Sequence, residues 1–250
     1  MESEKTDHRG SLPQRAAAWA VHLLTACGAA CCLFALAAAA DRQWQRMFVW
    51  LAVAVVIDAV DGSLARAARV QQRTPRFDGG LLDMIVDYVG YVLVPAFALG
   101  RSNLLPPAMA WGIGGAVCLA SAFQFCQSDA KTDDHFFKGF PSYWNIVIFY
   151  LFLLDSSPLF NAAIILFLIA LVFVPIKYIY PSRTRQWKRI TLPLSMLWAL
   201  SVSLLLLQFP DAHRGLLVAS LLFPLYYVAG SLYLTWRTSR RPSLRWWPHS

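Results

Sequence analysis

Long apolar stretches alternate with short polar turns along almost the whole chain. A bilayer-crossing α-helix needs roughly 20 apolar residues. Eight spans are read, at about 16–40, 47–67, 80–100, 105–127, 139–154, 159–178, 190–209 and 216–236, the fifth being the shortest. The expected fold is all-α: a polytopic integral membrane protein with about eight transmembrane helices. The first 15 residues are polar, and the apolar segment behind them is too long for a signal-peptide core. It is read as a retained first helix. No internal repeat stands out, and residues 1–250 are read as a single membrane-embedded domain.

Composition agrees with the pattern. Of 250 residues, 58% are hydrophobic and 14% charged, and mean hydropathy is +0.48. Soluble domains are typically nearer a quarter charged. The five cysteines, Cys27, Cys31, Cys32, Cys118 and Cys126, all fall in apolar segments. They read as small buried residues rather than as a disulfide or metal framework.

The net charge of +8 calls for no nucleic-acid partner, because basic residues flank cytoplasmic helix ends. With the N-terminus inside, the inner segments carry Lys5, Arg9, Arg15, Arg66, Arg69, Arg73, Arg76, Lys131, Lys138, Lys177, Arg183, Arg185, Lys188, Arg189, Arg237, Arg240, Arg241 and Arg245. The outer loops carry only Arg42, Arg46, Arg101 and Arg214. That imbalance supports an even number of spans and two cytoplasmic termini.

Four aspartates interrupt this apolar pattern: Asp58, Asp61, Asp83 and Asp87. An aspartate at the centre of a spanning helix costs about 3 kcal/mol on insertion scales. Helical periodicity puts Asp58, Asp61, Gly62, Ala65 and Arg66 on one face. Asp83 and Asp87 are one turn apart on the next helix, with Gly79 a turn earlier. Carboxylate oxygens suit Mg²⁺, Mn²⁺ or Ca²⁺, and four can hold two ions, an arrangement used for displacement at phosphorus. One arginine, Arg66, cannot neutralise four carboxylates, which argues against a plain ion-pair network. Gly62, Ala65 and Gly79 are expected to leave room for a ligand against the helix backbones. Arg66 can grip a phosphate oxygen.

The string from Asp58 to Asp87 has the form D-x2-D-G-x2-A-R, a gap, then G-x3-D-x3-D. It resembles the signature of the CDP-alcohol phosphotransferases. The twelve residues between Arg66 and Gly79 are more than that superfamily usually has. The long gap resembles the bacterial phosphatidylcholine synthase branch. So do His22-Leu23-Leu24-Thr25, the segment from Asp129-Ala130-Lys131 through His135-Phe136-Phe137-Lys138 to Tyr143-Trp144-Asn145, and Pro175 to Ser182.

The resemblance implies a transferase that moves the phosphatidyl group of CDP-diacylglycerol to choline and releases CMP. It implies a catalytic core at about 16–180, with extra helices at about 190–236. Asp58, Asp61, Asp83 and Asp87 would ligate a divalent metal, Mn²⁺ or Mg²⁺, as two ions. Asp87 would also deprotonate the attacking hydroxyl. Gly62, Ala65, Arg66 and Gly79 would line the CDP-diacylglycerol site. The expected location is the bacterial cytoplasmic (inner) membrane, with the active site on the cytoplasmic side. A homodimer is admitted, not required.

Weaker features complete the site. Lys177 sits near a cytoplasmic helix end, where it can meet a phosphate or simply flank the membrane. Thr25 shares a face with His22 and can meet the nucleotide or a neighbouring helix. A quaternary ammonium needs aromatic faces or a carboxylate. Tyr91, Tyr143 and Trp144 are the choline candidates, with Tyr88 and the acidic Asp133 and Asp134 nearby. The alternatives are serine, glycerol 3-phosphate or inositol as acceptor. A cation transporter would spread its acidic groups across the membrane depth, whereas these cluster toward one face.

Overall fold

The computed structural model describes residues 11–127, 136–179 and 188–239. Ten α-helices run through them: α1 Leu12–Ala40, α2 Trp44–Ala67, α3 Val70–Arg73, α4 Gly79–Tyr88, α5 Val94–Arg101, α6 Pro107–Phe125, α7 Trp144–Leu154, α8 Pro158–Val172, α9 Lys188–Leu207 and α10 Arg214–Ser239. A π-helical turn, Val89–Leu93, joins α4 to α5. Strands β1 (Phe136–Lys138) and β2 (Lys177–Ile179) pair antiparallel, with Phe137 opposite Tyr178.

The chain is a polytopic membrane protein. Six helical stretches are long and apolar enough to cross a membrane: Leu12–Ala40, Trp44–Ala67, Gly79–Arg101, Pro107–Phe125, Arg189–Leu207 and Arg214–Arg237. The fifth and sixth expected spans are also helical, but α7 has 11 residues and α8 has 15. Large apolar side chains face outward, among them Leu119 at 77% and Leu207 at 76% exposure, as a lipid-facing surface requires.

Three boundaries differ from the sequence reading. The fifth helix begins at Trp144 rather than near 139, because Gly139 takes a positive φ of 82° and Pro141 comes next but one. The sixth ends at Val172 rather than 178. Pro175 disfavours helix before it, and 177–179 enter the β-ribbon instead. The loop before α4 contains α3, which no apolar period announces. Asp133, Asp134, Arg183, Arg185 and the side chain of Lys177 lie outside the described residues.

The chain divides into two compact units. The first holds α1 to α5, α6 up to Cys118, and residues Trp144–Phe149. Helix α1 is its centre, packing against α2, α3, α4, the π turn and α5. Small residues make this approach feasible: Ala18, Cys32, Ala35 and Ala39 are wholly buried. At Gly28 a β-carbon would stand 2.8 Å from Val86 Cγ1, inside contact distance. At the far end, Arg101 Nη2 donates to Ala40 O at 2.8 Å and satisfies a terminal carbonyl of α1.

The second unit holds Leu119–Tyr143 and the chain from Tyr150 onward. Several polar groups buried in it are hydrogen-bonded to one another. Trp198 Nε1 donates to Tyr150 Oη at 2.9 Å, which donates to Ser220 Oγ at 3.0 Å. Ser142 Oγ donates to Gln124 Oε1 at 2.6 Å. Such pairs offset the cost of polar atoms in an apolar bundle.

The closeness of α1 and α4 is testable. Gly28→Leu forces a side chain into Val86, and overpacking of this kind costs about 1–3 kcal/mol. A lower melting temperature in detergent is expected, with activity reduced because α4 carries Asp83 and Asp87. An unchanged melting temperature would refute the close packing.

Candidate active site

The site is built in the first unit, on α2 and α4. Asp78 caps α4: its Oδ1 accepts the Leu81 N–H at 2.9 Å. The helix therefore starts where Asp83 and Asp87 fall on its second and third turns. One carboxylate oxygen each from Asp58, Asp83 and Asp87 lie within 4.8 Å of one another. All three residues are half-buried. Of the α2 face expected from periodicity, Asp58 meets Asp83 and Asp87 of α4.

Asp61 stands outside that triplet. It is buried, at 6% exposure, and its Oδ2 accepts the Thr25 hydroxyl at 2.7 Å. Thr25 is thus set against an acidic motif residue from α1. Its oxygen also lies 3.3 Å from Val21 O, one turn back.

The π turn alters the helix beyond Asp87. A π turn takes an extra residue per turn and rotates the side chains after it; such turns are frequent at functional sites. Here Tyr91 Oη donates to Asp58 Oδ2 at 2.9 Å. Helical spacing puts Tyr91 one turn beyond Asp87 on the same face; its partner on α2 is what the fold adds.

The long segment between Arg66 and Gly79 is anchored rather than loose. Arg69 adopts a left-handed φ of 47° and starts α3. Thr74 is buried at 5% exposure and donates to Val70 O at 2.9 Å. Its hydrogen is used there, so His22 Nε2, 2.9 Å away, is the donor to Thr74 Oγ1. The His22 ring also lies 4.4 Å from that of Phe77, centroid to centroid. At Gly79 a β-carbon would fall 2.7 Å from His22 Cε1. The room expected there for a ligand is filled by the imidazole.

Gly62 differs: a β-carbon there would meet only Arg66 Nη1, at 3.5 Å. Gly62 and Ala65 are half-exposed on α2. Arg66 is exposed, and its Nη2 donates to Ser63 Oγ at 3.0 Å. Tyr143 and the backbone of Lys177 belong to the second unit. Trp144 has no exposed surface, so its ring belongs to the core.

A small cleft opens beside Asp87, lined by Leu51, Ala54, Val55, Val86, Asp87, Gly90, Tyr91 and Asn145. None of these carries a positive charge. Asn145, at the start of α7, is the lining residue that site reading of the sequence missed. Its signal was a polar residue directly behind Trp144 in an otherwise apolar span.

Three converging carboxylates fit a hard divalent cation by donor type and by closeness. Asp58, Asp83 and Asp87 are the residues that can hold it.

Comparison with known proteins agrees. A family model described as CDP-alcohol phosphatidyltransferase matches residues 20–176. The phosphatidylcholine synthase of Legionella pneumophila is 40% identical over 233 residues, covering 90% of this chain and 91% of that protein. That of Pseudomonas aeruginosa is 36% identical over 226 residues, covering 90% and 94%. That of Legionella bozemanae is 44% identical over 196 residues, covering 75% and 90%. The aspartate signature and these matches agree, and the chain belongs to the CDP-alcohol phosphatidyltransferase family.

Proposed function

We propose that this membrane enzyme transfers the phosphatidyl group of CDP-diacylglycerol to choline, yielding phosphatidylcholine and CMP. The observation that carries the reading is near full-length likeness to proteins named phosphatidylcholine synthase. The cleft supports it. An acceptor with a carboxylate or phosphate, such as serine or glycerol 3-phosphate, would want a cation, and the lining has none. Choline needs a hydroxyl partner and aromatic or anionic company for its ammonium. Asp87 and Tyr91 supply both.

In this reading Asp87 takes the proton of the choline hydroxyl. A free hydroxyl loses its proton far above neutral pH, so a nearby base is needed. Asp58 and Asp83 complete the ligand set with Asp87, and Asp61 contributes the fourth carboxylate. Tyr91 orients Asp58 through its hydroxyl, and Thr25 orients Asp61. Two Mn²⁺ or Mg²⁺ ions held there would supply positive charge opposite the pyrophosphate and the departing CMP. Gly62, Ala65 and Arg66 border the nucleotide; Gly79 shapes that border through His22. Trp144 acts from the core, holding its neighbour Asn145. The positive-inside pattern supports the cytoplasmic face of the inner membrane as the side of this chemistry.

The decisive experiment is purified enzyme with CDP-diacylglycerol, Mn²⁺ or Mg²⁺ and labelled choline, serine, inositol and glycerol 3-phosphate. Choline should be used and the others poorly. A preference for serine or inositol would overturn the choline reading and leave the transferase standing. Excess EDTA should abolish turnover, and added Mn²⁺ or Mg²⁺ should restore it; full activity in chelator would remove the metal.

Asp87→Asn should lower kcat at least about a hundredfold, the usual worth of a general base, while some CDP-diacylglycerol binding remains. Asp58→Asn should weaken nucleotide binding more severely, as measured by calorimetry with metal present. Wild-type turnover by Asp87→Asn would strip Asp87 of its role.

Tyr91 separates hydroxyl from ring. Tyr91→Leu should raise the choline KM about five- to thirtyfold, the loss of one desolvated cation–π partner. Tyr91→Phe keeps the ring and should leave that KM close to wild type, yet raise the metal concentration needed for half-activity. Equal choline KM in all three enzymes would put the ammonium elsewhere.

A further inference from the structure

We infer that Asn145 is a substrate-contacting residue whose amide N–H holds the hydroxyl oxygen of the acceptor alcohol beside Asp87. This rests on the acceptor reading above, and no residue of α7 beyond Trp144 has a role in it.

The observation is an amide whose oxygen is already engaged, on a residue that lines the cleft. Asn145 is 5% exposed. Ile146 N–H donates to it at 2.9 Å. A backbone N–H can only be met by the oxygen of the amide, so this contact sets the orientation: Oδ1 faces Ile146 and Nδ2 faces away. Nδ2 has no hydrogen-bond partner among the described residues, and Asn145 lines the same cleft as Asp87 and Tyr91. An amide N–H without a protein partner is free to meet a group of acceptor chemistry arriving in the cleft.

The chemistry of the donor selects the ligand. Nδ2 only donates, so it cannot meet a quaternary ammonium. The one acceptor that choline offers is its hydroxyl oxygen. That oxygen carries one proton and two lone pairs. The proton goes to the Asp87 carboxylate. One lone pair forms the new P–O bond to the diacylglycerol-bearing phosphorus as the P–O bond to CMP breaks, and CMP leaves with that electron pair. The other lone pair accepts the Asn145 N–H. With these contacts the oxygen is aligned without any charged partner, in keeping with a lining that lacks lysine and arginine.

The test compares choline with ethyltrimethylammonium, which has the same cation and no hydroxyl. For Asn145→Ala, kcat/KM for choline should fall about five- to tenfold, the usual worth of one such hydrogen bond. The KM for CDP-diacylglycerol should stay within about twofold. Inhibition by ethyltrimethylammonium should be unchanged, because it lacks the oxygen that Asn145 holds. A merely structural role would weaken inhibitor and choline together. Asn145→Leu keeps the volume without the donor; it replaces the alanine variant if that one fails to elute as wild type on detergent gel filtration. Choline kcat/KM within about twofold of wild type would overturn the inference. So would an equal loss for the inhibitor, or a loss confined to CDP-diacylglycerol. A wild-type enzyme that ignores choline but uses another alcohol overturns the choline reading alone; the Asn145 contact then stands or falls on the same ratio measured with that alcohol and its hydroxyl-free analogue.

Discussion

Three acidic side chains held together in apolar helices are the constraint on which the first unit turns. Carboxylate oxygens from Asp58, Asp83 and Asp87 within 4.8 Å of one another repel, and burial weakens the water that would screen them. The arrangement is sustainable with positive charge between them or with donors around them. Part of the donor set is visible: Tyr91 gives its hydroxyl to Asp58. A divalent cation held there would supply the remainder. Without that function the cost of each aspartate would have no return.

Helix α1 is the part of the scaffold that makes the constraint workable. It carries no acidic residue of the signature, yet it touches every element that does. Its small residues let α4 approach to van der Waals contact at Gly28. One turn of α1 presents His22 to Thr74 and Gly79, and the next presents Thr25 to Asp61. The long segment between the two halves of the signature is thereby tied to the bundle, with α4 starting at a defined point. A one-residue shift of that start would rotate Asp83 and Asp87 by about 100° around the helix axis.

In the proposed reading, the cleft beside Asp87 would give acceptor selectivity without a dedicated charge. Its walls are Leu51, Ala54, Val55 and Val86, and its polar atoms come from Asp87, Tyr91 and Asn145. An anionic acceptor entering there would be desolvated beside a carboxylate, which is unfavourable on both counts. A cation bearing a hydroxyl meets neither penalty. Selection would then work by exclusion as much as by attraction.

Class and chemistry are what the sequence by itself determined. Apolar runs of spanning length leave few folds open, because backbone polar groups in a bilayer must be satisfied within a helix. Aspartates at helical spacing mark acidic faces that can meet, because a three- or four-residue interval is one turn. Both come from local geometry, which is why Asp58, Asp83 and Asp87 were legible. Tertiary structure alone decided the rest. Tyr91 reaches Asp58 through a π turn, Gly79 is filled by His22, and the segment at 177–179 leaves the helix for a strand. Asn145 meets the cleft although 54 residues separate it from Tyr91 in the chain. These are contacts between elements far apart in sequence, and periodicity within one element carries no information about its neighbours.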